Sequence, residues 1–218
     1  MSNSYILYGG GITRAAGVQM TLEELELDYE LRHVDVRNDE HRRAEFLAIN
    51  PAGYVPALVT PDGEALHEAS GIMLWLADFY PEKGLSPLPS DPKRARFISK
   101  YSYCANDILA PMKQFYFPHR YSTNENHAPA IKDKARQNSL ERWAVLDEWL
   151  EENGPYHLGE KFSIADIQMA NCAAYGLDGT RDIVNVFPAV RRCYEMVEAR
   201  PYCAPLLKEI IERKGVLD

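Results

Sequence analysis

Between residues 81 and 92 the chain reads Pro-Glu-Lys-Gly-Leu-Ser-Pro-Leu-Pro-Ser-Asp-Pro. Proline fixes φ and carries no amide hydrogen, so this stretch can neither extend a helix nor sit inside a sheet. Residues 81–91 are therefore expected to be a linker. It separates residues 1–80, where short β-like runs alternate with helical patterns, from residues 92–218, where helical patterns follow one another without a convincing strand.

In the first part, Tyr5 to Tyr8 reads as a strand that Gly9-Gly10-Gly11 breaks. Ala15, Val18, Leu22 and Leu25 then share one face of a helix over 14–27. A strand over 29–36, a short charged helix over 39–48, strands over 55–60 and 64–67 around the Pro61-Asp62-Gly63 turn, and a helix over 68–79 complete this part. A β-α-β unit followed by a hairpin and a helix gives one mixed four-stranded sheet with helices on its faces. The second part predicts helices over 92–118, 129–152, 163–177, 187–199 and 201–213, an all-helical bundle. Ser163-Ile164-Ala165-Asp166 has the spacing of a capping box, in which Ser163 and Asp166 satisfy each other's free amides. Asp166 is thus expected to serve folding rather than chemistry.

With a formal net charge of -8 and basic residues scattered among acids, the chain lacks the clustered cationic surface that nucleic acid requires. No apolar run is long enough to cross a bilayer, and the first ten residues do not read as a secretory signal, so a cytoplasmic protein is expected. Cys104, Cys172, Cys193 and Cys203 form no C-x-x-C pair and read as buried, reduced thiols. His67-Glu68 begins like a zinc motif, but Gly71 stands where its second histidine belongs, and no metal is expected.

Three segments of the first part could carry chemistry. In Asn50-Pro51-Ala52-Gly53-Tyr54-Val55-Pro56-Ala57-Leu58 a proline stands at the mouth of a strand. A cis Val55–Pro56 bond would turn the Val55 amide and carbonyl outward, where an extended peptide could pair with them. Glu68-Ala69-Ser70 opens a helix, whose free amides and dipole suit a carboxylate, while Glu68 suits an ammonium group; capping by Glu68 and Ser70 is the plainer alternative. The turn from Gly9 to Arg14 offers the Thr13 hydroxyl at a helix N-terminus, suited to holding a thiolate or simply to capping. Tyr8 offers a second hydroxyl.

Taken together, Leu-Glu-Glu-Leu at 22–25, the N-P-x-G-x-V-P-x-L run at 50–58, Leu66-x-Glu68 with Ile72, and Tyr156-x-x-Gly159-x-x-Phe162-Ser163-x-Ala165-Asp166 resemble the glutathione transferase superfamily over nearly the whole chain. The resemblance implies a thioredoxin-like N-terminal domain and an all-helical C-terminal domain. It implies that Val55 and Pro56 pair with the cysteinyl part of glutathione, and that Glu68 and the Ala69 amide hold its γ-glutamyl end. The family's usual serine after the acidic residue is Ala69 here, so Ser70 would have to replace that hydroxyl. Arg14 falls where some members carry a glutathione-contacting arginine. The thiol-activating position falls on Thr13, on Ile12 or on Tyr8, according to the class compared; Thr13 is preferred and Tyr8 is the alternative. A second substrate, expected to be a small hydrophobic electrophile, would lie against Tyr103, Asn106 and Tyr116. The implied activity is attack of glutathione, a co-substrate, on that electrophile by a homodimer; a non-catalytic binding module on the same fold is the other reading.

Overall fold

The computed structural model describes residues 4–10, 13–177 and 182–214, with the side chains of 213 and 214 excepted. Gly11 and Ile12 of the first turn lie outside the described residues. The element order begins with strand β1 (Tyr5–Gly9), helix α1 (Ala15–Glu24) and strand β2 (Tyr29–His33). It continues through a 3-10 turn into α2 (Ala44–Leu47), then β3 (Ala57–Val59), β4 (Ala65–His67) and α3 (Ala69–Phe79). The sheet order is β2-β1-β3-β4, with β1 parallel to β2, and β3 antiparallel to both β1 and β4. This is the mixed four-stranded sheet that the sequence implies. Strand alternation puts Tyr5 and Leu7 in the core and turns Ile6 and Tyr8 to the other face, where the Tyr8 ring meets Phe46 of α2 edge-on at 6.2 Å.

The helical part contains α4 (Arg94–Tyr103), α5 (Leu109–Tyr116), α6 (Ala128–Asn153), α7 (Ile164–Tyr175), α8 (Asp182–Val186), α9 (Pro188–Glu198) and α10 (Ala204–Lys214). The single helix expected over 92–118 is instead interrupted by a π turn at Cys104–Ile108. Pro111 has no amide to offer the Asp107 carbonyl, so the ladder must widen there. Strand β2 stops three residues short of the expected end, because the Asp35 carboxylate accepts the Arg37 and Asn38 amides and turns the chain. The short helix α8 was not expected; five residues give less than two turns of periodicity.

Every residue from Ile164 to Ala174 is buried, which makes α7 the central helix, packed against α1, α3, α4, α9 and α10. Its many alanines allow those close approaches on all sides. The segment after α3 is pinned on both sides. Arg94 donates two hydrogen bonds to Asp78 at 2.7 Å each, Ser86 donates to the same carboxylate at 2.6 Å, and the Ile164 amide donates to the Leu85 carbonyl. No described helix is long and apolar enough to cross a membrane.

Candidate active site

The N-P-x-G-x-V-P loop is built by its own first residue. Buried Asn50 donates from its side chain to the Tyr54 carbonyl at 2.6 Å and accepts the Ala52 amide at 3.1 Å. Gly53 has φ 63, a backbone conformation that side chains rarely adopt, so glycine suits that corner. The Val55–Pro56 bond is cis. Strand β3 begins only at Ala57, and among the described residues nothing pairs with the Val55 amide or carbonyl. An open backbone edge thus sits at the head of β3, opposite the end of β1, where Tyr8 faces Ala57.

Next to this edge, Glu68 immediately precedes α3, and its φ is 68. A non-glycine residue seldom adopts that backbone without a functional constraint. Neither Glu68 nor Ser70 caps the helix: the N-terminus has no side-chain cap hydrogen bond. The capping alternative for these residues is therefore absent, and the first amides of α3 carry the positive dipole end without a side-chain cap. The Glu68 carboxylate is 70% exposed and lies 3.6 Å from the Arg14 guanidinium, an open pair that attracts only weakly. Arg14, Asn50, Tyr54, Val55, Pro56 and Glu68 all line one small cleft of about 40 Å3. A larger cavity of about 140 Å3 lies between α1, β2 and α10 and shares no residue with the cleft. The Ser70 carbonyl accepts the Tyr101 hydroxyl of α4, which fixes the start of α3 against the helical part.

The two hydroxyls differ in setting. Thr13 donates to the Gly10 carbonyl at 3.1 Å and accepts the Ala15 amide at 3.3 Å, so it closes the first turn of α1. Tyr8 accepts a hydrogen bond from Arg32 at 2.8 Å on the α2 face of the sheet. Of the three residues expected beside a second substrate, Tyr103 donates its hydroxyl to the Arg142 carbonyl of α6, and Asn106 donates to the Ser102 carbonyl. Tyr116 reaches the end of α7, donating to the Tyr175 and Gly176 carbonyls at 3.0 Å. Three further residues escape the sequence reading. The Arg42 and Arg120 guanidinium groups lie over the Tyr54 ring at 5.0 and 5.6 Å, and Lys113 lies one turn before Phe117. No motif marks them; only the folded chain brings α5 beside the Tyr54 loop.

All four cysteines are free and buried. Burial pushes the Cys104 and Cys193 thiols well above their usual range and Cys172 to about 12. None of them can serve as a thiolate at neutral pH. Asp166 is fully buried and accepts from the Ser163 amide and hydroxyl at 2.8 and 2.9 Å, and from the His157 amide and ring nitrogen at 2.8 Å each. The capping box is complete. The Cys193 thiol adds a fifth, longer donation at 3.5 Å.

An open backbone edge, a free helix start and an uncapped acidic residue within one cleft match a known design. Residues 14–78 match the model of the glutathione S-transferase N-terminal domain, and residues 106–209 match that of its C-terminal domain. The chain belongs to the glutathione S-transferase superfamily. It is 30% identical over 194 residues to the disulfide-bond oxidoreductase YfcG of Escherichia coli K12, covering 84% of this chain and 85% of that protein. To glutathione S-transferase 3 of Zea mays it is 29% identical over 203 residues, covering 89% of each. A glutathione transferase homologue from Sulfitobacter, solved with bound glutathione, superposes with a TM-score of 0.81 at 26% identity, covering 98% of this chain and 99% of that one. The four-stranded mixed sheet of this transferase-superfamily chain is thus the thioredoxin-like half, and the helices from α4 onward are the all-helical half.

Proposed function

We propose that the chain binds glutathione in the Val55–Glu68 cleft and directs attack of its thiolate on a small hydrophobic electrophile. The observation that carries this reading is the open Val55 edge beside the uncapped start of α3. The cysteinyl part of glutathione would pair with the Val55 amide and carbonyl like one more strand. Its γ-glutamyl carboxylate would take the Ala69 and Ser70 amides, and its ammonium group would take Glu68, with Arg14 alongside. With the tripeptide held at both points, its thiol would lie near the start of α1, where the dipole and the Thr13 hydroxyl favour the thiolate. Thr13 must then exchange its bond to the Gly10 carbonyl for one to sulfur. It remains our choice over Tyr8, whose ring lies on the α2 face of the sheet against Phe46.

The reaction is a substitution or addition. Sulfur forms a bond to the electrophilic carbon; in a substitution a leaving group departs with its electron pair and the thiol proton goes to solvent, and in an addition the electron pair stays on the acceptor, which takes up a proton. The protein contributes orientation and thiolate stabilisation. Because the four protein thiols are buried, the only reactive sulfur in this scheme is that of glutathione. Carried over from the family, the reading includes a cytoplasmic homodimer. Retention on immobilised glutathione, followed by turnover of an aryl halide, tests it. Retention without turnover of any electrophile would favour the binding-module alternative, and no retention would end the transferase reading and leave a binding module for another ligand or a protein partner.

A further inference from the structure

Beside the Tyr54 side of this cleft, cations gather from separate elements in a chain whose net charge is -8. Lys113 lies in the last turn of α5, and its carbonyl accepts the Phe117 amide at 2.9 Å, so the two lie one turn apart. Arg120 follows, with its guanidinium 4.2 Å from the Phe117 ring centre and 5.6 Å from that of Tyr54. Tyr54 itself lines the glutathione cleft. Arg120 therefore bridges the helical part to the cis-proline loop. Among the described residues, neither Lys113 nor Arg120 has a carboxylate within ion-pair distance, and Arg14 has only Glu68. Burial lowers the Lys113 amine below its ordinary range, and the charges of Arg14 and then Arg120 lower it further, against the opposing pull of Glu68. Cations at the end of a helix complement its dipole, which accounts for Lys113 taken singly. It does not account for Arg120 and Arg14 converging on the same space from other elements.

We infer that the second substrate carries a carboxylate, held by Lys113 and Arg120, on an aromatic or otherwise apolar body that packs on Phe117 and Tyr54. Like charges brought together repel, and an anion between them relieves that repulsion. The rings beside the two cations supply the apolar contact, and an acid with a flat body satisfies both at once. This assignment rests on the transferase reading of the cleft and names the class of its electrophile.

The test compares a chlorodinitrobenzoate with its methyl ester. Both react alike: glutathione sulfur bonds to the ring carbon, chloride leaves with the bonding pair, and the thiol proton goes to solvent. The ester lacks the charge and has the more activated ring, so each kcat/KM is taken relative to that compound's uncatalysed rate with glutathione. In the parent protein kcat/KM should favour the acid over the ester. Lys113→Met and Arg120→Met should each lower that preference by about tenfold, as loss of a charge-assisted hydrogen bond does. Lys113→Arg should retain it, and the KM for glutathione should not move. An equal kcat/KM for acid and ester in the parent, or an unchanged preference in both methionine variants, would overturn the assignment. A raised KM for glutathione with the preference intact would give these cations to glutathione itself, which also overturns it. So would calorimetry showing two glutathiones per chain, the second lost in Lys113→Met. If the parent conjugates neither compound, the transferase reading fails separately. Calorimetric binding of unreactive dinitrobenzoate in the presence of S-methylglutathione then decides the anion site, upheld by binding that Lys113→Met loses and refuted by none.

Discussion

Glu68 is the residue where backbone and chemistry conflict. Its φ of 68 is a conformation that glycine adopts freely and glutamate does not. Glu68→Gly should therefore leave the melting temperature unchanged or raise it, since relief of strain offsets the larger unfolded-state entropy of glycine. The same change should weaken glutathione binding by about tenfold, because the ammonium group loses its acceptor. Calorimetric titration alongside a thermal melt checks both; a lower melting temperature with unchanged affinity would make Glu68 a folding residue. Thr13 poses a different question, because its proton already lies on the Gly10 carbonyl. Thr13→Ala should raise the pKa of bound glutathione by about one to two units, and Tyr8→Phe should change it little. Titrating the thiolate absorbance of each complex measures this, and the reverse pattern would assign activation to Tyr8.

At the scale of elements, α7 shows how a local signal can understate its own importance. The S-x-x-D spacing announces a capped helix, and a lost cap ordinarily costs about 0.5–2 kcal/mol. In the folded chain Asp166 also gathers the His157 amide and ring, so one carboxylate organises the turn before α7 as well as its start. Asp166→Ala leaves these donors buried without an acceptor and should cost about 3–5 kcal/mol, with the affinity of the folded fraction for glutathione unchanged. Urea unfolding and calorimetry separate the two effects. Much else at this scale was legible in the chain: the strands and the mixed sheet they form, the helical second part, and the N-P-x-G-x-V-P loop whose Asn50 and Gly53 have direct geometric roles. Illegible were the π turn after α4, which depends on what Pro111 fails to offer a carbonyl four residues back, and α8, too short to show a period. The gathering of cations was equally hidden. Lys113 and Arg120 look like ordinary polar residues at a helix end until α5 is laid against the Tyr54 loop.

At the scale of the whole molecule, the two halves are held by polar contacts as well as by the core around α7. Arg200, just past α9, donates to both oxygens of buried Glu24 at the end of α1, at 2.7 and 2.6 Å, and its guanidinium lies 3.7 Å from the Phe162 ring centre. Glu24→Ala removes both acceptors. Because Arg200 is one-third exposed and can turn to water, the expected loss is about 1.5–3 kcal/mol, read as a lower urea midpoint. A clasp of this kind, spanning residues 24 and 200, has an implication for observing the protein. Neither half can loosen without stripping the partner from a buried charge, so both should melt in one calorimetric transition. Trp143, sealed inside the helical half, then becomes a remote thermometer for events at the far end of the chain. Glutathione docked on the amides of α3 should raise the temperature at which Trp143 emission shifts. The gain should follow mass action, about 2.7 kcal/mol once the ligand stands a hundredfold above its dissociation constant.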